Sequence, residues 1–133
     1  MNIDHIGIVT EDSTLLSNML QKYFNGQAGK EVVDEEGFIS QFISLENGSI
    51  EILQPTKKES VISRFLENTG GGLHHISIKV ENIEDTVKRM KDDKYEFINN
   101  IGLYDKGDRK LKYIFLNPKY SNKILIELHE EIK

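Results

Sequence analysis

The sequence contains no cysteine among its 133 residues. This absence excludes disulfide bonds, zinc sites built from thiolates and a cysteine nucleophile. No apolar run approaches the roughly 20 residues that a membrane-spanning helix needs, so we expect no membrane partner. No secretory leader pattern precedes the first strand-like segment, and the cytoplasm is therefore the expected compartment.

A concentration of basic residues is also missing. The chain has 17 Lys and Arg against 22 Asp and Glu, which gives a formal net charge of -5. Binding to a phosphate backbone needs a concentrated basic face, whereas the basic residues here are scattered among a larger number of acids. We therefore expect no nucleic-acid partner. The length fits a single domain, residues 1–133.

Two stretches of the sequence resemble each other and indicate an internal repeat. Residues 4–8 read Asp-His-Ile-Gly-Ile, and residues 74–78 read His-His-Ile-Ser-Ile. Each continues through a polar cap into a run with the apolar spacing of an amphipathic helix. Asn82, with Asp85 three residues later, is a good cap for the second helix. The predicted apolar stripes are Leu15, Leu16, Met19, Leu20 and Tyr23 in the first helix and Ile83, Val87 and Met90 in the second.

Three extended segments follow each helix. They cover about 28–34, 38–45 and 49–54 in the first half and about 95–99, 111–117 and 123–129 in the second. A short helix over 59–68 and a hinge-like run of glycines at 70–72 link the halves. The sequence therefore predicts an α+β fold of two repeated β-α-β-β-β modules, at about 1–55 and 73–133. Roughly 60 residues bury too little surface to be stable alone, so we expect modules of one domain.

Side chains alternate between the two faces of a strand, and this alternation singles out four residues. Each lies mid-strand beside bulky aliphatic residues, which are expected to pack under the helices. A single residue of this kind is more often a solvated side chain. The order His, Glu, His, Glu, however, repeats with the halves. Two imidazoles and two carboxylates suit an octahedral Ni²⁺, Co²⁺, Mn²⁺ or Fe²⁺, and also Zn²⁺. The four candidate ligands are His5, Glu51, His75 and Glu127.

Together these motifs resemble the vicinal-oxygen-chelate (glyoxalase/bleomycin-resistance/dioxygenase) superfamily over essentially the whole chain. They are residues 4–8, 50–55 (Ile-Glu-Ile-Leu-Gln-Pro), 72–76 (Gly-Leu-His-His-Ile) and 125–128 (Leu-Ile-Glu-Leu). The resemblance implies that the modules form a curved mixed sheet around a metal cleft, in a homodimer. It also implies one divalent metal at the four candidate ligands, with Ni²⁺ or Co²⁺ favoured and Zn²⁺ or Mn²⁺ possible. Because His75 aligns with His5, we expect the adjacent His74 to be structural.

Two branches of this superfamily compete, glyoxalase I (lactoylglutathione lyase) and methylmalonyl-CoA epimerase. Residues 60–66 and 73–76 look like the epimerase branch. Residues 103–109, however, depart from the glycine-rich loop that epimerases usually carry, and residues 39–42 lack the extra carboxylate that some of them use. The glyoxalase branch needs only the metal and its glutamates, although Val9 and Pro55 replace the arginine and asparagine usual in glutathione-binding members. We therefore expect glyoxalase I chemistry.

The expected reaction converts a methylglyoxal–thiol hemithioacetal to a 2-hydroxyacyl thioester, of the S-lactoylglutathione type. Glu127 is the expected base beside the metal, and Glu51 would serve the opposite face. The first alternative is epimerisation of an acyl-CoA, here methylmalonyl-CoA. A non-catalytic small-molecule binding protein of the same fold is a second alternative, and an iron dioxygenase using two histidines and one carboxylate is a third.

No substrate-binding residue follows from the sequence. His129 has the parity to approach the site, but it lies near the terminus and we expect it to be solvated. We expect solvated surface charges at the other candidates, Arg64, Arg109 and Lys110.

Overall fold

The structure, a computed structural model, describes residues 1–106 and 109–133. The chain divides into two compact units, which we call the first unit (His5–His74) and the second unit (Met1–Asp4 with His75–Lys133). The second unit begins near residue 73, where the second module was predicted to start, but it also includes residues 1–4, which were predicted to belong to the first module. The prediction of a single domain is not tested by this division.

The first unit contains the helix and strands of the first module, apart from the start of the first strand (residues 2–4), which belongs to the second unit. Strand β1 pairs in parallel with β5, β4 pairs antiparallel with β5, and the short strands β2 and β3 both pair antiparallel with β4. The segment expected at about 28–34 is thus divided into two short strands. The elements are β1 (Asn2–Val9), α1 (Ser13–Phe24), β2 (Gln27–Ala28), β3 (Val32–Asp34), β4 (Phe38–Leu45), β5 (Gly48–Pro55) and α2 (Val61–Thr69).

Helix α1 packs on one face of this sheet through a narrower stripe than the sequence predicted. Leu20 is buried with Ile43 and Ile52, and Leu16 packs against them. Leu15, Met19 and Tyr23 instead form an exposed row along the helix. The prediction of their burial was wrong because the sheet covers only one side of α1, and residues at i, i+4 and i+8 share a side.

Helix α2 packs on the opposite face of β5. Val9, Leu53 and Ile62 form a buried cluster there. Gly70 adopts the left-handed conformation (φ 79°) that ends α2, and a Cβ on Gly71 would lie 2.8 Å from the carbonyl oxygen of Val9. The two glycines therefore have defined roles in place of the expected hinge. Gly70 ends a helix, and Gly71 permits a close backbone contact.

The second unit repeats the plan of the first. Strand β6 pairs in parallel with β9, β8 pairs antiparallel with β9, and β7 pairs antiparallel with β8. The α+β fold of two β-α-β-β-β modules is therefore confirmed. The elements are β6 (Gly72–Lys79), α3 (Ile83–Asp92), β7 (Gly102–Lys106), β8 (Arg109–Phe115), a 3₁₀ turn (Pro118–Tyr120) and β9 (Ile126–Glu131).

Helix α3 covers the aliphatic face of these strands. Its cap is the predicted one, because the Asn82 side chain accepts a hydrogen bond from the Asp85 backbone N–H at 2.9 Å. The buried cluster between α3 and the strands consists of Val80, Ile83, Val87, Ile114 and Leu128. No helix among the described residues has the length and apolar character that crossing a membrane would require.

One predicted strand of the second module is displaced. Residues 95–99 make only an isolated bridge, from Phe97 to Leu116, and the strand forms instead at Gly102–Lys106. Phe97 packs against the α3 cluster, so it acts as an anchor ahead of the strand. Residues 103–109 were noted in the sequence as departing from the glycine-rich loop of epimerases. Of these, residues 103–106 and 109 lie in β7 and β8, and Gly107 and Asp108 lie outside the described residues.

Candidate metal centre

The two modules align their histidines and glutamates in the same register. In the first unit Gly7 lies opposite Glu51 on the parallel β1–β5 pair, and in the second unit Ser77 lies opposite Glu127 on β6–β9. His5 precedes Gly7 by two residues, as His75 precedes Ser77. Residues two apart on a strand share a face, so each module presents one imidazole and one carboxylate side by side.

In the first unit this arrangement brings His5 and Glu51 together. His5 Nε2 lies 3.5 Å from Glu51 Oε1, and only 4% of the histidine is exposed. The ring of Phe42 meets the His5 ring edge-on at a centroid distance of 5.0 Å. Phe42 is also the residue opposite Glu51 on β4. The pair therefore offers a nitrogen and an oxygen ligand beside an apolar wall.

The second unit builds the same arrangement from His75 and Glu127. A ring nitrogen of His75 and a carboxylate oxygen of Glu127 lie within 4.8 Å of each other, and His75 is 4% exposed. Phe115 lies opposite Glu127 on β8 and meets the His75 ring edge-on at 6.2 Å. The repeated phenylalanine was missed from the sequence. Aligning the strand before each glutamate would have found it.

The expectation that His129 is solvated was wrong. It is fully buried, and its Nδ1 lies 2.9 Å from the hydroxyl oxygen of Ser77, which itself donates a hydrogen bond to Glu127 Oε1 at 2.6 Å. On its other side, His129 Nε2 lies 3.5 Å from Asp4 Oδ1. Strand parity places His129 on the face of Glu127, and Ser77 and Asp4 enclose it there. We call Ser77, His129 and Asp4 the carboxylate support.

The expectation that Arg109 is a solvated surface charge was also wrong, because its side chain pairs with two acids. Its guanidinium lies 3.5 Å from Asp4 Oδ2 and 3.2 Å from Glu131 Oε1. A hydrogen bond from Lys79 is the main cause that lowers the pKa of Glu131, and the charge of Arg109 adds to it. Arg109 thus ties Asp4 of the support to the end of β9.

The remaining candidates lie where the sequence suggested. Arg64 and Lys110 are exposed. His74 is half-buried and meets the ring of Phe65 edge-on at 5.0 Å, which is a packing contact in the first unit. The two adjacent histidines therefore point to opposite faces of β6.

Comparison with known proteins identifies similar chains. A family profile described as the Glyoxalase/Bleomycin resistance protein/Dioxygenase superfamily matches residues 4–115. The mitochondrial methylmalonyl-CoA epimerase of Dictyostelium discoideum is 31% identical over 134 residues, which cover 97% of this chain and 78% of that protein. The ethylmalonyl-CoA/methylmalonyl-CoA epimerase of Cereibacter sphaeroides is 30% identical over 130 residues, which cover 96% of this chain and 96% of that protein. The crystal structure of methylmalonyl-CoA epimerase from Mycobacterium tuberculosis has the same fold, with a TM-score of 0.87 at 20% identity over 99% of this chain and 89% of that one.

These relatives overturn the expected activity. They are acyl-CoA epimerases, so the expectation of glyoxalase I chemistry is wrong and its runner-up fits better. The resemblance implies the same four ligands for both branches, and those residues therefore could not discriminate between them. Val9 and Pro55, which depart from glutathione-binding members, were the informative signal. Nothing in the comparisons supports a preference for nickel.

Proposed function

We propose that this chain, which belongs to the Glyoxalase/Bleomycin resistance protein/Dioxygenase superfamily, is a metal-dependent epimerase of methylmalonyl-CoA. The observation that carries the proposal is the repeated register, which gives each module one buried histidine and one neighbouring glutamate. Epimerisation removes a proton from one face of a carbon and returns one to the other, and two acid–base groups can serve the two faces. The epimerase relatives support the choice of substrate.

We further propose that the two pairs together hold one divalent metal ion. The ligands would be His5, Glu51, His75 and Glu127, whose nitrogen and oxygen atoms suit Co²⁺, Zn²⁺, Mn²⁺ or Ni²⁺. The burial of both histidines and the short distances within each pair support this assignment. When bound, the metal supplies Lewis-acid stabilisation of the negative charge that develops on the thioester oxygen, worth several kcal/mol.

The glutamates supply the proton transfers. The C2–H bond of the malonyl group breaks, its electron pair moves into the thioester carbonyl to form an enolate, and the proton passes to Glu127. Glu51, protonated in that half-reaction, then returns a proton to C2 from the opposite face. The reverse reaction exchanges the two roles. Proton transfer by a positioned group typically contributes about 10²–10⁴-fold to the rate.

Two aromatic rings shape the surroundings of these carboxylates. Phe42 lies opposite Glu51 and Phe115 lies opposite Glu127, and each ring also contacts the histidine of its pair. An apolar neighbour displaces water, and charges interact more strongly where water is displaced. Each carboxylate is therefore associated with one aromatic ring and one histidine.

Substitution of the two glutamates tests the proposal. Glu127→Gln and Glu51→Gln keep the side-chain shape and an oxygen ligand but remove the base. With Co²⁺ bound, we expect each change to lower epimerisation by about 10²–10⁴-fold, measured by chromatographic separation of the 2R and 2S thioesters. Ethylmalonyl-CoA should be assayed in parallel, because one relative bears both substrates in its name.

The matched control is Glu46→Gln, at an exposed position in the turn between β4 and β5. It should retain the wild-type rate. Near-normal turnover by Glu127→Gln with metal bound would exclude Glu127 as the base. A large loss for Glu127→Gln with little loss for Glu51→Gln would exclude the two-base mechanism.

A further inference from the structure

We propose that Ser77 is a positioning residue that holds the Glu127 carboxylate in its working orientation, and that His129 holds the Ser77 hydroxyl. The inference rests on the proposed function, because it deepens the role given there to Glu127. It assigns work to two buried polar residues that neither the metal ligation nor the proton transfers use.

The donor and the acceptor of each hydrogen bond around Ser77 follow from the number of hydrogens available. A serine hydroxyl has one hydrogen, and it is donated to Glu127 Oε1 at 2.6 Å. The His129 Nδ1, at 2.9 Å from the same oxygen, must then be a donor to Ser77. This hydrogen bond restricts rotation of the Glu127 carboxylate, so Ser77 helps to hold that side chain in one orientation.

The residues of the carboxylate support are themselves held in place by burial and by further contacts. Neither Ser77 nor His129 has any exposed surface. The backbone carbonyl of His129 accepts from the Val80 N–H at 2.8 Å, and the ring lies against Asp4, which Arg109 also contacts. Outer groups of this kind, which orient a ligand or a base, typically change metal affinity or activity about 10–100-fold when they are removed.

The first module lacks the serine, and this asymmetry argues for a dedicated role. The residue opposite Glu51 is Gly7, which has no side chain to offer at the position where Ser77 meets Glu127. The two modules agree in their histidine, glutamate and phenylalanine, but Gly7 stands where the second module has Ser77, and Leu53 stands where it has His129. Only the carboxylate of the second module is therefore oriented by a hydroxyl two residues beyond its histidine.

The order Ser77, His129, Asp4 has the composition of a hydrolase triad, but its geometry does not permit nucleophilic attack. A nucleophile must reach the substrate, whereas the Ser77 side chain is 0% exposed. Its hydroxyl hydrogen is also directed at Glu127 and not at the imidazole. The serine therefore acts through Glu127.

The test compares variants that remove each hydrogen bond with variants that restore it. Ser77→Ala and His129→Leu should lower kcat about 10–100-fold at saturating Co²⁺, with KM for methylmalonyl-CoA nearly unchanged. Ser77→Thr restores the hydroxyl, and His129→Asn restores a donor near Nδ1, so both should recover much of the lost kcat. Because His129 acts through Ser77, the double variant Ser77→Ala/His129→Leu should be no slower than Ser77→Ala.

Ser17→Ala is the matched control, since it removes the hydroxyl of another buried serine, on α1, outside the site. It should leave kcat unchanged. Wild-type kcat in Ser77→Ala, or an equal loss in Ser77→Ala and Ser77→Thr with both melting like the wild type, would overturn the proposal.

Failure of the proposed function is distinguishable from failure of this inference. If the wild-type protein does not epimerise the substrate, the Kd for Co²⁺ becomes the deciding measurement, because Glu127 is also a proposed ligand. Ser77→Ala should then weaken Co²⁺ binding about 10–100-fold, and Ser77→Thr should restore it. Unchanged Co²⁺ affinity in Ser77→Ala would overturn the inference in that case.

Discussion

His74 and His75 are neighbours in the chain that lie in different surroundings. His75 is buried beside Glu127 and Phe115. His74 is half-buried and packs on Phe65 of helix α2. Alternation along β6 separates them, because successive side chains of a strand point to opposite faces. The same alternation assigns one histidine to the proposed metal and the other to packing.

Substitution of these two histidines should have different consequences. His75→Ala removes a proposed ligand and should abolish Co²⁺ binding in a calorimetric titration. His74→Ala should retain Co²⁺ binding and lower the free energy of unfolding in urea by about 1 kcal/mol, through loss of the contact with Phe65. Loss of metal in His74→Ala with retention in His75→Ala would mean that the two assignments are reversed.

The sequence identified the residues of the two pairs, but not what surrounds them. Parity and the repeat predict that His5 and Glu51 share a face, and the structure places them 3.5 Å apart. The carboxylate support was missed because Asp4, Ser77 and His129 are 52 or more residues apart in sequence and meet only through strand pairing. Periodicity within one strand contains no information about which distant strand lies beside it.

Helix α1 tests how strictly packing selects one side of an amphipathic helix. Leu20 is 6% exposed against Ile43 and Ile52, whereas Leu15 on the same helix is 75% exposed. Leu20→Ala should therefore destabilise the protein by about 2–5 kcal/mol in urea unfolding. The matched change Leu15→Ala should remain within about 0.5 kcal/mol of the wild type. Equal costs for the two changes would show that α1 is rotated from the position described.

Helix α3 is tied to strand β8 by a charged contact that should make stability depend on pH. Lys112 Nζ donates to Glu84 Oε1 at 2.6 Å. This hydrogen bond lowers the pKa of Glu84 below 4.5 and raises the pKa of Lys112 above 10.5. A carboxyl with a lowered pKa stabilises the fold above its unfolded value and loses that effect as the pH falls through the folded value. A lysine with a raised pKa stabilises below its unfolded value and loses the effect as the pH rises through the folded value.

Lys112→Met should therefore destabilise the protein between about pH 4.5 and 10.5, and the difference from the wild type should shrink below that range. Urea midpoints measured at several pH values check this, with the exposed Lys110→Met as the control on the same strand. A deficit in Lys112→Met that persists unchanged to pH 3 would mean that packing of the lysine stem, and not its charge, joins α3 to β8.

The element pattern was predictable wherever local signals were strong. The cap at Asn82, the strand at Phe38–Leu45 and the β-α-β-β-β order follow from periodicity and capping. The strand expected at 95–99 failed because the partly buried Phe97 packs against the α3 cluster as a single anchor, and a short apolar run cannot distinguish an anchor from a strand.

The two units contribute equal parts to the proposed chemistry, one histidine and one glutamate each. The repeat makes the superfamily recognisable from the sequence, and the family match confirms it. The branch was not predictable in the same way, because the resemblance implies the same four candidate ligands for both branches, and these do not identify the substrate. The homodimer stays a prediction, which sedimentation analysis of the purified chain would check.

Deuterium exchange at C2 of methylmalonyl-CoA tests the proposed epimerase most directly. The Co²⁺-loaded protein is incubated in D₂O with the 2R or the 2S thioester, and the C2 proton is followed by NMR against a protein-free control. We expect loss of that proton together with interconversion of the two isomers, and no S-lactoylglutathione from a methylglyoxal–glutathione mixture. Absence of exchange from either isomer with metal bound, or turnover of the hemithioacetal instead, would contradict an epimerase.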